Sequence, residues 1–398
     1  MLNKKDTPTT DKPVVLLIIF GVVALSLFLQ QEFSIKQATL FLIGIGLGIT
    51  LLHAAFGFTG SWRAFLRKRR SEGIRAQLLL LGVTSILFFP VLGKIFPELH
   101  VNAALAPVGL SVLVGAFLFG LGMQFGGGCG SGTLFTVGGG HVRMLIVLAF
   151  FIVGATIGSV HLPAWAALPN VGKISLIQEL GWLPALLLQL VVFGVLFYLV
   201  RNFEQRRHGD IHKLGHASGN KSFIDQLIFG PWPLWWAIAS LAALNYLTLL
   251  IAGHAWTITF AFGLWGTKIW AAMGGDISTW TYWQGAYASK ALNNSVLADT
   301  TTLMDFGIII GAMLAAALAG KFAPDSKIDR TGLFTAIAGG LMLGYGARLA
   351  FGCNIGGLLA GISTGSVHGW LWLVSGFIGN MAGVWLRVLL KIDKPLEA

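Results

Sequence analysis

Both cysteines of the chain stand in glycine-rich strings. Residues 125–133 read Phe-Gly-Gly-Gly-Cys-Gly-Ser-Gly-Thr, and residues 346–357 read Gly-Ala-Arg-Leu-Ala-Phe-Gly-Cys-Asn-Ile-Gly-Gly. Glycine runs make poor helix interiors, costing roughly 1 kcal/mol per residue relative to alanine. They let the backbone break, turn and come close to a ligand. The pattern predicts that Cys129 and Cys353 each open a short half-helix, over 130–140 in the first string and on to Gly365 in the second. At such a start, unpaired N–H groups and the positive end of the helix dipole attract an anion. A thiol adds a soft, polarisable surface and a weak S–H donor. Together they suggest an anion that contains sulfur, because a hard oxyanion such as phosphate is met by arginine forks. Gly128, Gly130, Gly352 and Asn354 flank the two thiols and belong to the same candidate path.

A single membrane cysteine would read as a small buried packing residue. The repetition argues for more. Aligning Cys129 with Cys353 makes six of the fifteen positions from 120 to 134 identical, in one frame. Gln124 then falls opposite Arg348, a charge inside an apolar run, which either attracts the anion or snorkels to the interface. Earlier in each half, Phe56-Gly57-Phe58-Thr59-Gly60-Ser61 resembles Phe262-Gly263-Leu264-Trp265-Gly266-Thr267. These add Gly57, Gly60, Gly263 and Gly266 as backbone breaks on the path. His141 falls opposite His368 after a three-residue slip. Asp305 opens an apolar run, as a helix cap or interface residue does. Tyr282, Trp283 and Lys290 lie in a polar stretch fit to line a vestibule.

The elements that must position these residues are membrane helices. The chain is 55% hydrophobic and 11% charged, with a mean hydropathy of +0.77, whereas soluble domains are about a quarter charged. Apolar runs fall at 14–30, 38–56, 76–97, 103–123, 143–161, 180–200, 232–252, 254–273, 303–321, 331–350 and 367–390. The first reads as a retained helix. The expected fold is therefore an all-α polytopic membrane protein of about 10–12 transmembrane helices. Its two pseudo-symmetric halves, 1–200 and 231–398, flank a basic polar linker over 201–230, and short broken or re-entrant helices lie at the centre. The net charge of +11 reads as positive-inside topology and not as nucleic-acid binding. With a cytoplasmic N-terminus, alternating spans put Arg63–Arg75 and Arg201–Lys221 on the cytoplasmic side. The same alternation strands Lys321, Lys327, Arg330, Arg387, Lys391 and Lys394 outside. One crossing more or fewer after residue 200 removes the conflict and makes the repeats inverted, a common transporter architecture. No metal set, cofactor motif or ATP-driven domain is present in the sequence.

The strings 346–356 and 127–132, with Gly-His-Val at 140–142, resemble the YeeE/YedE sulfur-transport family over most of the chain. The resemblance implies uptake of a reduced inorganic sulfur anion, thiosulfate in the best-understood branch and polysulfide-type sulfur or selenium species in others, across the bacterial inner membrane. It implies that Cys129 and Cys353 meet the substrate without chemistry, and that a small TusA-like cytosolic sulfur carrier acts alongside. The family's first glycine break carries a cysteine in a form like Phe-Cys-x-x-Gly-Ala. Here Gly57 takes that place, leaving two thiol stations. Other readings of the same residues are a membrane thiol enzyme that forms a cysteine persulfide and hands sulfur to a soluble carrier, a structural subunit, and a neutral-solute channel.

Overall fold

A computed structural model describes residues 10–215, 222–322 and 327–394. Helices α1 (Lys12–Glu32), α2 (Ile35–His53), α3 (Phe58–Lys68) and α4 (Glu72–Leu92) come first. Next are α5 (Leu110–Gly126), α6 (Gly130–Gly138), α7 (Val142–Ala166), α8 (Leu176–Leu180) and α9 (Trp182–His208). The remainder comprises α10 (Phe223–Phe229), α11 (Leu234–Ala252), α12 (Thr259–Ala272), α13 (Ala286–Asn293), α14 (Thr300–Leu318), α15 (Arg330–Leu349), α16 (Ala360–Ser363) and α17 (Val367–Leu389). A π-helical segment, Asn354–Leu359, leads into α16. Two short antiparallel strands, β1 (Pro107–Gly109) and β2 (Asn170–Lys173), lie outside the bundle of helices.

Lipid offers no hydrophobic drive between helices, so close backbone approach at small residues has to hold them together. Three parallel pairs do this. In α2 and α14, Gly44 lies on Met304, Gly48 on Ile308 and Gly311 on Ile45. In α5 and α17, Gly120 meets Gly376 and Gly379 meets Phe117. In α7 and α15, Gly340 meets Val147 and Gly344 meets Phe151. Two other pairs run antiparallel. Helix α5 crosses α15 with Gly115 by Ala350 and Gly122 by Leu343. The end of α2 meets the start of α11, where the Trp232 N–H donates to His53 O at 2.9 Å.

Among the described residues, ten helical stretches are long and apolar enough to cross a membrane. The expected span at 254–273 is not one of them. Only Thr259–Ala272, 14 residues, is helical there, about 21 Å long against a hydrocarbon core of about 30 Å. Removing that crossing resolves the charge conflict. Arg63 and Arg67 bond Asp393, as does Arg387, while Arg143 reaches Gly332 O. Arg70 and Arg75 pair with the buried Glu204 near the end of α9. These contacts gather the basic stretches 63–75 and 201–213 with residues 327–330 and 387–394 at one end of the bundle, and the parallel course of α2 and α14 carries residue 321 to the same end. The Arg387 guanidinium and its neighbours hold the Asp393 carboxyl below the usual carboxylate range. The basic stretch begins inside α9, which runs to His208, and its residues 216–221 lie outside the described residues.

The glycine seams give a first prediction. A Cβ at Gly48 would fall on the Ile308 carbonyl, whereas one at Gly57 would meet nothing within 4 Å. Gly48→Val is expected to destabilise the protein by about 1–3 kcal/mol through overpacking, and Gly57→Ala to leave stability unchanged. Melting curves of the detergent-solubilised variants, read by size-exclusion chromatography, check both.

Candidate functional site

Four helix breaks converge inside the bundle. Their N-caps are Gly57 for α3, Cys129 for α6, Ile258 for α12 and Cys353 for the π-helical segment. The backbone is extended at three of them, with φ/ψ of −144/142° at Gly57, −92/−165° at Cys129 and −88/−164° at Cys353. Cys129 Sγ accepts the Gly132 N–H at 3.4 Å and lies 3.4 Å from Ser131 Oγ. Cys353 Sγ accepts the Ile355 N–H at 3.4 Å. The thiols thus sit where serine or aspartate usually caps a helix. A sulfur acceptor holds those N–H groups far less firmly than an oxygen does.

The half-helices meet head to head. A Cβ at Gly130 would lie 2.9 Å from Cys353 Sγ and 3.6 Å from Ile258 Cγ2, so the start of α6, the Cys353 thiol and the loop before α12 share one small space. Both cysteines are buried, at 1% and 0% exposure. Gly352 makes the turn at φ +148°, and a side chain there would run into the Gly357 N–H. The freed backbone groups are satisfied by side chains, as membrane depth requires. Trp372 Nε1 donates to Gly352 O at 3.0 Å, and Asn245 Oδ1 accepts the Trp256 N–H at 2.9 Å. Arg143 donates to Gly126 O at 2.7 Å and Phe125 O at 2.8 Å, capping the end of α5. Asn354 is fully buried, and neither atom of its amide finds a partner among the described residues.

A cavity of about 610 Å³ reaches inward from the basic end. Lys68, Arg70, Glu72 and His212 line it with Gly57, Gly60, Gly128 and Cys129. A Cβ on Gly57 or Gly60 would meet no atom within 4 Å, so both glycines face open space. The position where a third thiol was expected is therefore a void beside Cys129.

Arg348 does not snorkel. It is 8% exposed and lies over the rings of Tyr282, Phe260 and Trp283, at 4.9, 5.9 and 5.9 Å from their centroids. Nη1 donates to Tyr282 Oη at 2.8 Å and Nη2 to Phe260 O at 3.4 Å. The guanidinium crosses α12 at Gly263, where a Cβ would collide with Nη2. Gly266 packs on Thr156 of α7. Among the described residues, no carboxylate forms an ion pair with Arg348. Gln124, its counterpart in the first half, instead donates to Asn380 and to Thr59 O, tying α5 to α17 and α3.

The two repeated histidines differ in setting. His141 is exposed at the start of α7, and His368 is buried with Nδ1 2.6 Å from Ser366 Oγ. Asp305 departs from its expected place. Asp299 is the cap of α14, accepting the Thr302 N–H at 2.8 Å, and Asp305 lies within the helix at 0% exposure. Burial holds the Asp299 carboxyl above its ordinary range. Sequence reading also missed Arg143. Its one signal was a lone arginine two residues after Gly-His at the head of an apolar run.

Comparison with known proteins matches residues 53–382 to a family described as sulphur transport. A thiosulfate transporter, TsuA, of Spirochaeta thermophila is 26% identical over 373 residues, which cover 87% of this chain and 97% of the relative. The Escherichia coli protein of that name is 25% identical over 358 residues, covering 86% and 92%. A probable transporter, YedE, of Salmonella typhimurium is 30% identical over 147 residues, covering 37% and 36%.

The void at Gly57 generates a labelling prediction. In a background of Cys129→Ser and Cys353→Ser, Gly57→Cys is expected to react with a charged methanethiosulfonate applied from the basic end. The reaction should run at least roughly tenfold faster than that of either native thiol examined singly, since access controls thiol reactivity. Intact-mass measurement over time gives the rates.

Proposed function

The chain belongs to the sulphur-transport family, and from that premise we propose that it carries thiosulfate, or a reduced-sulfur anion of similar build, past Cys129 and Cys353. The observation that carries this reading is the meeting of the two cysteine-capped half-helices across Gly130. Thiosulfate has a soft terminal sulfur and a hard face of oxygens. The thiols offer S–H donors to the soft end, and the first-turn N–H groups with the unpartnered Asn354 amide meet the oxygens. These contacts are weak and multiple, as passage demands: a site that binds tightly does not release. No bond in the cargo is broken. The relatives are named as transporters, and the chain is a transport protein, not an enzyme.

The remaining residues have supporting roles in this reading. Arg348, buried without a counter-charge, draws the anion toward the end remote from the basic cluster. The Gly57–Gly60 void receives it on the other side of the thiols, without the third sulfur station usual in the resembling family. Gly128, Gly352, Gly263 and Gly266 set the breaks and the close helix approaches, while Gln124 holds α5 beside α3. The opposite directions of α2 and α11, and of α5 and α15, fit an inverted duplication. By the positive-inside rule, the basic end faces the cytoplasm of a bacterial inner membrane and the N-terminus lies there too. A small TusA-like carrier would meet the cargo at that face.

The test is uptake of labelled thiosulfate by the purified protein in liposomes. Cys129→Ser and Cys353→Ser are each expected to lower the initial rate by at least about tenfold, or about 1.4 kcal/mol at the barrier, while inserting normally. Wild-type rates in both variants would remove the cysteines from the path.

A further inference from the structure

One buried titratable group in this region has no role in the path described above. Asp305 is fully buried in α14, and both of its carboxyl oxygens lack a partner among the described residues. Thr301, Asp305, Ile309 and Ala312 lie on one face of the helix by their spacing. At the first of these, Thr301 Oγ1 is 3.3 Å from Thr257 Oγ1, in the loop before α12. At the last two, Ile309 and Ala312 lie against Gly138 at the end of α6. Asp305 is thus between them, on the side of α14 turned toward the meeting of α6 with the Thr257–Ile258 loop, where Cys353 packs on Gly130.

Among the described residues, the neighbouring elements bring no counter-charge to it. Helix α2 carries Lys36 and His53 near its two ends, α1 carries Lys12 and Glu32 at its ends, α10 carries Asp225, and α6 has no titratable side chain. Lys268 of α12 donates to Leu292 O at 2.6 Å and Asn294 O at 2.7 Å. Asp299 caps α14 and accepts from Tyr287 at 3.2 Å. Arg348 is held by Tyr282 and Phe260 O. Among the described residues, the other titratable groups near this face are His254, in the loop before α12 with Nδ1 2.9 Å from Ala255 O, and the Cys129 and Cys353 thiols. An ionised carboxylate left unpaired in such a place costs several kcal/mol and repels an anion passing beside it.

We propose that Asp305 is the proton site of a proton–anion symport: it takes a proton from the side where the cargo enters and releases it on the other. The neutral carboxyl lets the anion pass, and the proton travels with it. One proton with one divalent anion leaves one negative charge to move, so the membrane potential also acts on the flux. This inference rests on the sulfur-anion reading of the path.

Liposomes with the potential clamped at zero by potassium and valinomycin separate the two claims. Counterflow of labelled against trapped thiosulfate, without a pH gradient, reports the cargo. An exterior one pH unit more acidic than the interior then reports coupling, because one proton per anion drives about tenfold accumulation. Wild type and Asp305→Glu are expected to accumulate thiosulfate. Asp305→Asn is expected to keep counterflow yet reach only the external concentration. Active wild-type counterflow with no accumulation overturns the proton site and leaves the cargo standing, as does accumulation by Asp305→Asn. Absence of wild-type counterflow overturns the cargo and the symport with it. Should Asp305→Asn be inactive throughout, trapped pyranine decides: thiosulfate entry acidifies the wild-type lumen if the proposal holds and leaves its pH unchanged if it fails.

Discussion

Helix breaks at membrane depth impose the constraint around which this protein is organised. Every peptide group freed by a break has to be satisfied without bulk water. Trp372, Arg143 and Asn245 do so at Gly352, at the end of α5 and at the loop before α12. Trp372 and Arg143 are long side chains from neighbouring helices packed close along the glycine seams, whereas Asn245 stands on α11, the helix that leads into the loop it serves. The α7–α15 and α5–α17 pairs are therefore scaffold for the site as well as for the fold. With the carbonyl ends tied down, the unspent hydrogen-bonding capacity collects at the amide ends, beside the thiols.

Sulfur suits that position for a physical reason. A serine at Cys129 would close the first turn of α6 with a strong oxygen acceptor and leave little for a visitor. The thiol holds the Gly132 N–H only at 3.4 Å. The same logic applies at Cys353, where the π-helical turn places the N–H groups of Gly357 and Leu358 on one carbonyl, that of Cys353, at 2.8 and 3.2 Å.

Much of this was legible in the sequence, and what was missed has identifiable causes. Glycine runs beside Cys129 and Cys353 announced the half-helices because helix propensity falls sharply there. The α12 half-helix was hidden, because residues 254–273 are apolar enough to read as a span despite Lys268, and hydropathy does not register a backbone that dips and returns. The glycines read there as breaks, Gly263 and Gly266, lie inside α12, and the break itself falls at Ile258. The charge rule nonetheless recorded the error as basic residues stranded on the wrong side. Asp305 was misplaced because a carboxylate at the head of an apolar run is usually a cap, and Asp299 stood outside the run that was read. Arg348 stood out as a charge inside an apolar run, but its aromatic cage comes from Phe260, Tyr282 and Trp283, far away in sequence. Pattern alone does not bring such residues together.

The packing of Cys353 directly on Gly130 has a consequence for how far an ion must travel naked. The cavity that opens at the basic end reaches Cys129. A single residue without a side chain, Gly130, separates that cavity-lining thiol from Cys353. On the proposed path, an elongated anion at that partition would have one end beside the cavity while the other meets the second thiol. A methyl group on Gly130 would fall 2.9 Å from Cys353 Sγ and crowd the partition from both sides.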